Sequence, residues 1–299
     1  MTAATPARAG TRTLRTRCTF RAMGTSWQLE ASGCAPAALR EAEALVHTAE
    51  LRYSRFLPDS LLSRLNRDRR VEDRELAELV CQAIALRAAT GGAFDPAVGA
   101  AVVAAGYDRS FELLAARDAV PSPQNTARPA VPVHGDLVQL DGPGLLDLGG
   151  IAKGWTIDQV GALLARRGAR SYCVDGGGDL LLGGAHAHEQ DVELCTGGYR
   201  VGVTHGALAS SSTLHRRWPT ADGSAHHIID PQRGLPAAHT WVQASVLAAD
   251  ATTADALATA LLADASATLP ALSARGAEAL LVASDGRCMI TPGLAHYLR

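Results

Sequence analysis

Aromatic residues make up only 4% of this 299-residue chain, and none of its six cysteines forms a C-x-x-C pair. The second absence argues against a zinc ribbon or a thiol redox motif. An excess of one charge is also missing: 28 Lys and Arg stand against 30 Asp and Glu, a formal net charge of -2. Neutralising a phosphate backbone needs a basic surface, so nothing points to a nucleic-acid partner. Long apolar runs are absent, and the longest, 97–106, falls well short of the roughly 20 residues that span a bilayer. Residues 1–17 carry Arg8, Arg12, Arg15 and Arg17 without an apolar segment, which reads as a disordered lead-in rather than an export signal. The expected location is therefore the cytoplasm. There Cys18, Cys34, Cys81, Cys173, Cys195 and Cys288 are expected to be reduced, packed thiols.

Small side chains supply what is there. The chain is 47% hydrophobic with 29 glycines, so its apolar content rests on Ala, Val and Leu. A core built that way brings backbones close together. Apolar spacing predicts helices over 37–54, 74–89, 155–167, 253–262 and 268–275, and strands over 18–31, 137–140, 172–174, 180–182 and 279–283. The compensated charges Arg64, Arg67, Arg69 and Arg70 with Asp59, Asp68, Glu72 and Asp73 read as a solvated face. Repeated proline makes 121–136 the clearest linker or long loop. Strands and helices mix without a regular βαβ rhythm, which favours α+β, with mixed and largely antiparallel sheets packed against helices. Residues 18–299 form the expected folded unit, with a possible subdivision near 121–136.

Four segments have compositions that a scaffold would not require. In Gly91-Gly92-Ala93-Phe94-Asp95-Pro96 a helix ends and presents an aromatic ring beside a carboxylate. In Asp147-Leu148-Gly149-Gly150-Ile151-Ala152-Lys153-Gly154, between a strand and a helix, glycines permit backbone approach to an anion and Lys153 can reach phosphate. In His226-His227-Ile228-Ile229-Asp230-Pro231, His227 and Asp230 either face one site or serve as a core-edge ring and a turn cap. In Thr252-Thr253-Ala254-Asp255-Ala256-Leu257-Ala258-Thr259, helical spacing stacks Asp255 and Thr259 on one face, suited to a hard cation such as Mg²⁺. Thr252 with Asp255 fits a capping box equally well, and spacing does not separate the two. His186-Ala187-His188-Glu189 has metal-ligand residue types but reads as a solvated loop, and Ser210-Ser211-Ser212 lacks a nucleophile elbow.

Together and in this order, these segments resemble the ApbE family of flavin transferases. The resemblance runs from Met23-Gly24-Thr25 to about Ala263 and includes Ser54-Arg55-Phe56-Leu57-Pro58-Asp59-Ser60, Asn66 and Val174-Asp175-Gly176-Gly177-Gly178-Asp179. It implies an ApbE-like, T-fold-related architecture. It also implies a Mg²⁺-dependent enzyme that moves the FMN part of FAD onto a threonine of an acceptor protein and releases AMP. Carried over, Met23, Phe56, Ala93, Phe94 and Asp95 would line the flavin site. Asp147 and Lys153 would hold FAD, and His227 and Ile229 would flank the flavin or phosphates. Asp179 would support the glycine turn. Gly150, Asp255 and Thr259 would hold Mg²⁺, and His227, or else Asp230, would take the acceptor's proton. Phe56 stands where many members have tyrosine, and Ser210-Ser211-Ser212-Thr213 replaces a common Thr-Ser-Gly. The same motifs leave two other expectations in view: an FAD pyrophosphatase using water, and a non-catalytic FAD carrier.

Overall fold

Eight strands pair antiparallel, and their order across the sheet is their order along the chain: β1 (Arg15–Ala22), β2 (Thr25–Ser32), β3 (Ser171–Gly176), β4 (Leu180–Gly183), β5 (Gly206–Ser212), β6 (Trp241–Ala248), β7 (Glu278–Ala283) and β8 (Cys288–Ile290). The structure is a computed structural model that describes residues 15–114, 127–187, 189–194, 198–221, 223–238 and 240–299. The α+β expectation holds, and the connections between neighbouring strands carry everything else. Between β2 and β3 run α1 (Ala37–Tyr53), α2 (Leu61–Asp68), α3 (Arg74–Ala89) and α4 (Ala152–Arg166); between β6 and β7 run α5 (Ala251–Ala263) and α6 (Ala265–Ala274).

Strand alternation gives the sheet two different faces. On β5 and β6, Ala207, Ala209, Ala244 and Val246 turn toward the helices, while Leu208 and Leu247 turn outward. The inward residues are small, and that lets α5 lie close. Its Leu257, Leu261 and Leu262 are fully buried, each contributing about 1.5–3 kcal/mol relative to an exposed side chain. The outer leucines are covered by a hairpin, Gln190–Leu194 with Tyr199–Val203, and by Leu294 near the C-terminus. A second core cluster forms where α2 and α3 meet a three-stranded sheet of Arg70–Glu72, Leu137–Gln139 and Val133–His134.

Helices α4 and α5 touch through a glycine. A Cβ on Gly154 would collide with the Ala251 carbonyl and lie 2.9 Å from Asp255 Cβ. Asp158, one turn further along α4, accepts the amides of Ala251 and Thr252 at 2.8 Å each and so fixes the start of α5. Gly154→Ala should therefore destabilise the fold by about 1–3 kcal/mol, as overpacking does. Urea unfolding checks this, and a wild-type midpoint would show that the two helices separate freely.

The chain departs from expectation in several places. β1 starts at Arg15, so three residues of the expected lead-in belong to the sheet; residues 1–14 lie outside the described set, as do 121–126 of the expected linker, His188 and Cys195. The charge run keeps its solvated face, with Arg64, Arg67, Asp68 and Arg70 exposed, but carries a helix that spacing does not predict. Leu62 and Leu65 of α2 are buried, and Arg69, at φ 65°, closes it while donating to the Gly144 carbonyl at 2.9 Å. Central strands β5 and β6 were not expected at all. Gly-Ala-Leu-Ala-Ser-Ser-Ser has little intrinsic strand preference, and its two partners create the strand. Cys81 and Cys288 are exposed rather than packed; Cys18, Cys34 and Cys173 are partly buried, and all five are free thiols.

Candidate active site

The glycine segment, α5 and the Gly91–Pro96 turn converge on one point. A Cβ on Gly150 would lie 3.2 Å from Thr259 Oγ1 and 3.4 Å from Phe94 Cε2, a tight contact that brings the three residues together. Asn66 holds the chain leading into the segment, donating to the Leu146 carbonyl at 2.9 Å and accepting the Leu146 amide at 2.8 Å. Asp147 then turns the chain by accepting the Gly149 amide at 2.6 Å. Helix α4 begins at Ala152, earlier than spacing predicts, which puts Lys153 in its first turn.

The capping-box alternative for Asp255 fails. Asp250 is the N-cap of α5 and accepts the Thr253 amide at 2.7 Å, while the Thr252 hydroxyl donates to Asp158. Asp255 is instead buried in the α4–α5 contact, with Oδ2 accepting the Gly154 amide at 3.1 Å. Thr259 lies one turn on, and inward-facing Ser211 of β5 meets its hydroxyl at 3.3 Å. No cluster of three or more His, Cys, Asp or Glu exists among the described residues. The set Gly150, Asp255 and Thr259 offers a carbonyl, one carboxylate and a hydroxyl, all hard oxygen donors, and so fits Mg²⁺ better than a soft transition metal.

Charge gathers beside this set. Lys153 pairs with Asp179, whose other oxygen accepts the Ser210 amide at 3.0 Å. Asp179 is buried, whereas Lys153 keeps 23% of its side-chain surface, enough to meet a ligand. Burial pushes the Lys153 ammonium below its usual pKa; Asp255 opposes that shift and Arg216 adds to it. Arg216 belongs to the hairpin Arg217–Thr220 with Gly223–His226. There Arg217 pairs with His226, and the same alignment continued by one residue sets Arg216 across from His227.

His227 is pushed down to about 3, first by burial and then by the charges of Arg216 and His226. Its Nδ1 is buried without a hydrogen-bond partner among the described residues. The unfolded histidine takes its proton near 6.5 and the folded one only near 3. Between those values the unfolded chain binds more protons. The stability contribution is thus full above about pH 6.5 and lost as pH falls toward 3, with one proton limiting the slope to about 1.4 kcal/mol per pH unit. The thermal midpoint should fall between pH 7 and pH 4 and fall less in His227→Gln; identical slopes would rule His227 out as a source.

Next to His227 stands a ring cluster. Tyr107 lies 5.4 Å from Phe56, 5.4 Å from Trp218 in a stacked pair, and 6.3 Å edge-on from His227. Trp218 is anchored by its indole N–H to the Ala105 carbonyl at 2.6 Å. Arg55 lies over Phe56 and holds Asp147 through Nε at 2.7 Å. Met23, in the β1–β2 turn at φ 51°, donates its amide to Glu50 at 2.7 Å and packs at the junction of the two large clusters.

Two expected site residues are engaged in local structure. The Asp95 carboxylate is wholly inaccessible: it caps Pro96–Val98 through the Ala97 amide at 2.9 Å and pairs with Arg128 at 2.8 Å and Arg87 at 3.2 Å. Asp230 caps its turn, accepting the Gln232 amide at 2.8 Å and that of Arg233 at 3.3 Å. Ala93 and Ile229 are buried beside these groups. Arg55, Tyr107, Trp218, Asp158 and Arg216 lie at the candidate site or support it and were not singled out from sequence, while Ser211 was considered only as a nucleophile and set aside. Arg55 had a signal, its place beside Phe56 in a segment already marked; the others are brought in by pairing and packing alone.

Residues 23–281 match the family model described as "ApbE family". The chain belongs to the ApbE family. Among its relatives, the FAD:protein FMN transferase of Treponema pallidum is 34% identical over 88% of this chain and 82% of its own length. That of Haemophilus influenzae is 28% identical over 74% of this chain and 70% of its own. The ApbE fold is matched in solved structures as well. The ApbE protein of Thermotoga maritima superposes with a TM-score of 0.85 at 25% identity, covering 96% of this chain and all of that one. The flavin transferase ApbE of Vibrio cholerae gives 0.76 at 24% identity and bears on the fold alone. No helix among the described residues of this ApbE chain is long and apolar enough to cross a membrane.

Proposed function

We propose that the chain is a Mg²⁺-dependent FAD:protein FMN transferase, acting on a threonine hydroxyl of an acceptor flavoprotein. The observation that carries this reading is the meeting of Gly150, Thr259 and Phe94 at one point, with Asp255 on the same helix and Lys153 beside it. An oxygen-donor set, a cation and aromatic rings in one place are what a flavin dinucleotide requires. Gly150, Asp255 and Thr259 would hold Mg²⁺, which neutralises charge on phosphate oxygens when bound.

In the reaction the threonine oxygen forms a bond to the FMN-side phosphorus, the bond from that phosphorus to the bridging oxygen breaks, and AMP leaves with the electron pair. The threonine proton goes to His227, whose Nδ1 has no hydrogen-bond partner among the described residues. His227 is the better base than Asp230, whose carboxylate accepts two turn amides. Lys153 neutralises pyrophosphate charge, and Phe56 and Phe94 contact the rings. Phosphoryl transfer depends mostly on such positioning and charge neutralisation. Incubation with FAD, Mg²⁺ and a threonine-bearing acceptor should add one FMN to the acceptor by mass spectrometry. Free FMN released without acceptor would identify a pyrophosphatase instead, and bound FAD that never turns over would identify a carrier.

A further inference from the structure

Arg55 makes contacts that none of the steps above uses. Its guanidinium carbon lies 4.2 Å from the Phe56 ring centroid and 4.7 Å from that of Tyr107. Its Nε holds Asp147 Oδ2 at 2.7 Å, and the other Asp147 oxygen accepts the Gly149 amide, one residue before Gly150. One planar group thus touches both rings and the carboxylate that shapes the glycine turn. Lysine is unable to reproduce this, because its ammonium neither stacks nor forks. The Arg55 Nη2 is moreover buried with no hydrogen-bond partner among the described residues. A guanidinium kept only for stability would have its donors paired, and an orphaned buried donor calls for a functional explanation.

We propose that Arg55 is a positioning residue that couples the ring platform of Phe56 and Tyr107 to the glycine turn at Gly149 and Gly150, so that flavin-ring binding and turn geometry are set together. This rests on the reading of the site as a flavin-nucleotide site. Two ligands separate its parts: riboflavin carries the ring without the pyrophosphate, and ADP carries the pyrophosphate without the ring. In Arg55→Lys, riboflavin and FAD affinity, followed by flavin fluorescence, should fall about tenfold, the size of a lost stacked and charge-assisted contact. ADP affinity by calorimetry should fall as well, by a smaller factor, because the glycine turn loses its anchor, while the thermal midpoint should stay near wild type. Asp147→Asn, which frees Arg55 from its anchor, should weaken riboflavin similarly and serves if Arg55→Lys folds poorly. The double variant should lose no more than either single one. Wild-type riboflavin affinity in both single variants, or losses that simply add, would overturn the coupling while leaving the function intact. A wild-type protein that binds neither FAD nor riboflavin would overturn the functional reading itself.

Discussion

Asp255→Asn is expected to reduce Mg²⁺-dependent flavin transfer by about 10²- to 10³-fold, the several kcal/mol that a charge-stabilising metal supplies. The same change should leave stability nearly untouched. Asparagine keeps an oxygen that can accept the Gly154 amide, held at 3.1 Å, and fills the same volume in the α4–α5 contact. The opposite pattern is expected of Asp250→Ala. That residue caps α5 through the Thr253 amide and hydroxyl, at 2.7 and 3.0 Å, and its loss should cost about 0.5–2 kcal/mol. Transfer rates across a Mg²⁺ titration, set beside urea midpoints for both variants, provide the comparison. Asp255→Asn with full activity and a lowered midpoint would return this carboxylate to a purely structural role.

Lys153→Met should damage both function and fold, for separable reasons. The substitution keeps an unbranched side chain in the first turn of α4 but removes the ammonium paired with Asp179, a carboxylate only 2% exposed. Stranding one member of a buried pair costs about 3–5 kcal/mol. The partly open setting of Lys153 puts the expected loss toward the lower figure. Adding Asp179→Asn removes the stranded charge, so the double variant should regain most of the lost stability. Activity should not return, because the cation facing the pyrophosphate is still gone, a loss of about 10²-fold or more. A double variant that recovers transfer along with stability would show that Lys153 serves only to neutralise Asp179.

Much of the architecture is local and could be read directly. α1 and α3 appear within a residue of their expected bounds because each carries an apolar face at helical spacing and ends at a clear breaker, Ser54 before the Phe56 segment and Gly91 after Thr90. The glycine motif was legible as a place of close backbone approach, and Gly154 bears that out, since the Ala251 carbonyl occupies the space of its Cβ. β5 was not legible, because its inward residues are Ala and Ser, which let α5 approach and carry no strand signature of their own; β6 has Val246 among its inward residues and went unread all the same.

The sequence by itself determined the class of fold and the family, since the ordered motifs each sit in one short segment. Only the tertiary structure excluded the capping-box account of Asp255, because the actual cap, Asp250, and the actual partner of Thr252, Asp158, are set by where α4 meets α5. It likewise turned Asp95 toward Arg87 and Arg128, turned Asp230 into its own turn, and brought Arg55, Tyr107 and Arg216 to the site. The physical reason is the same throughout. Whether a carboxylate binds a ligand or closes a turn depends on which donors lie within about 3 Å of it, and residues distant in sequence supply those donors.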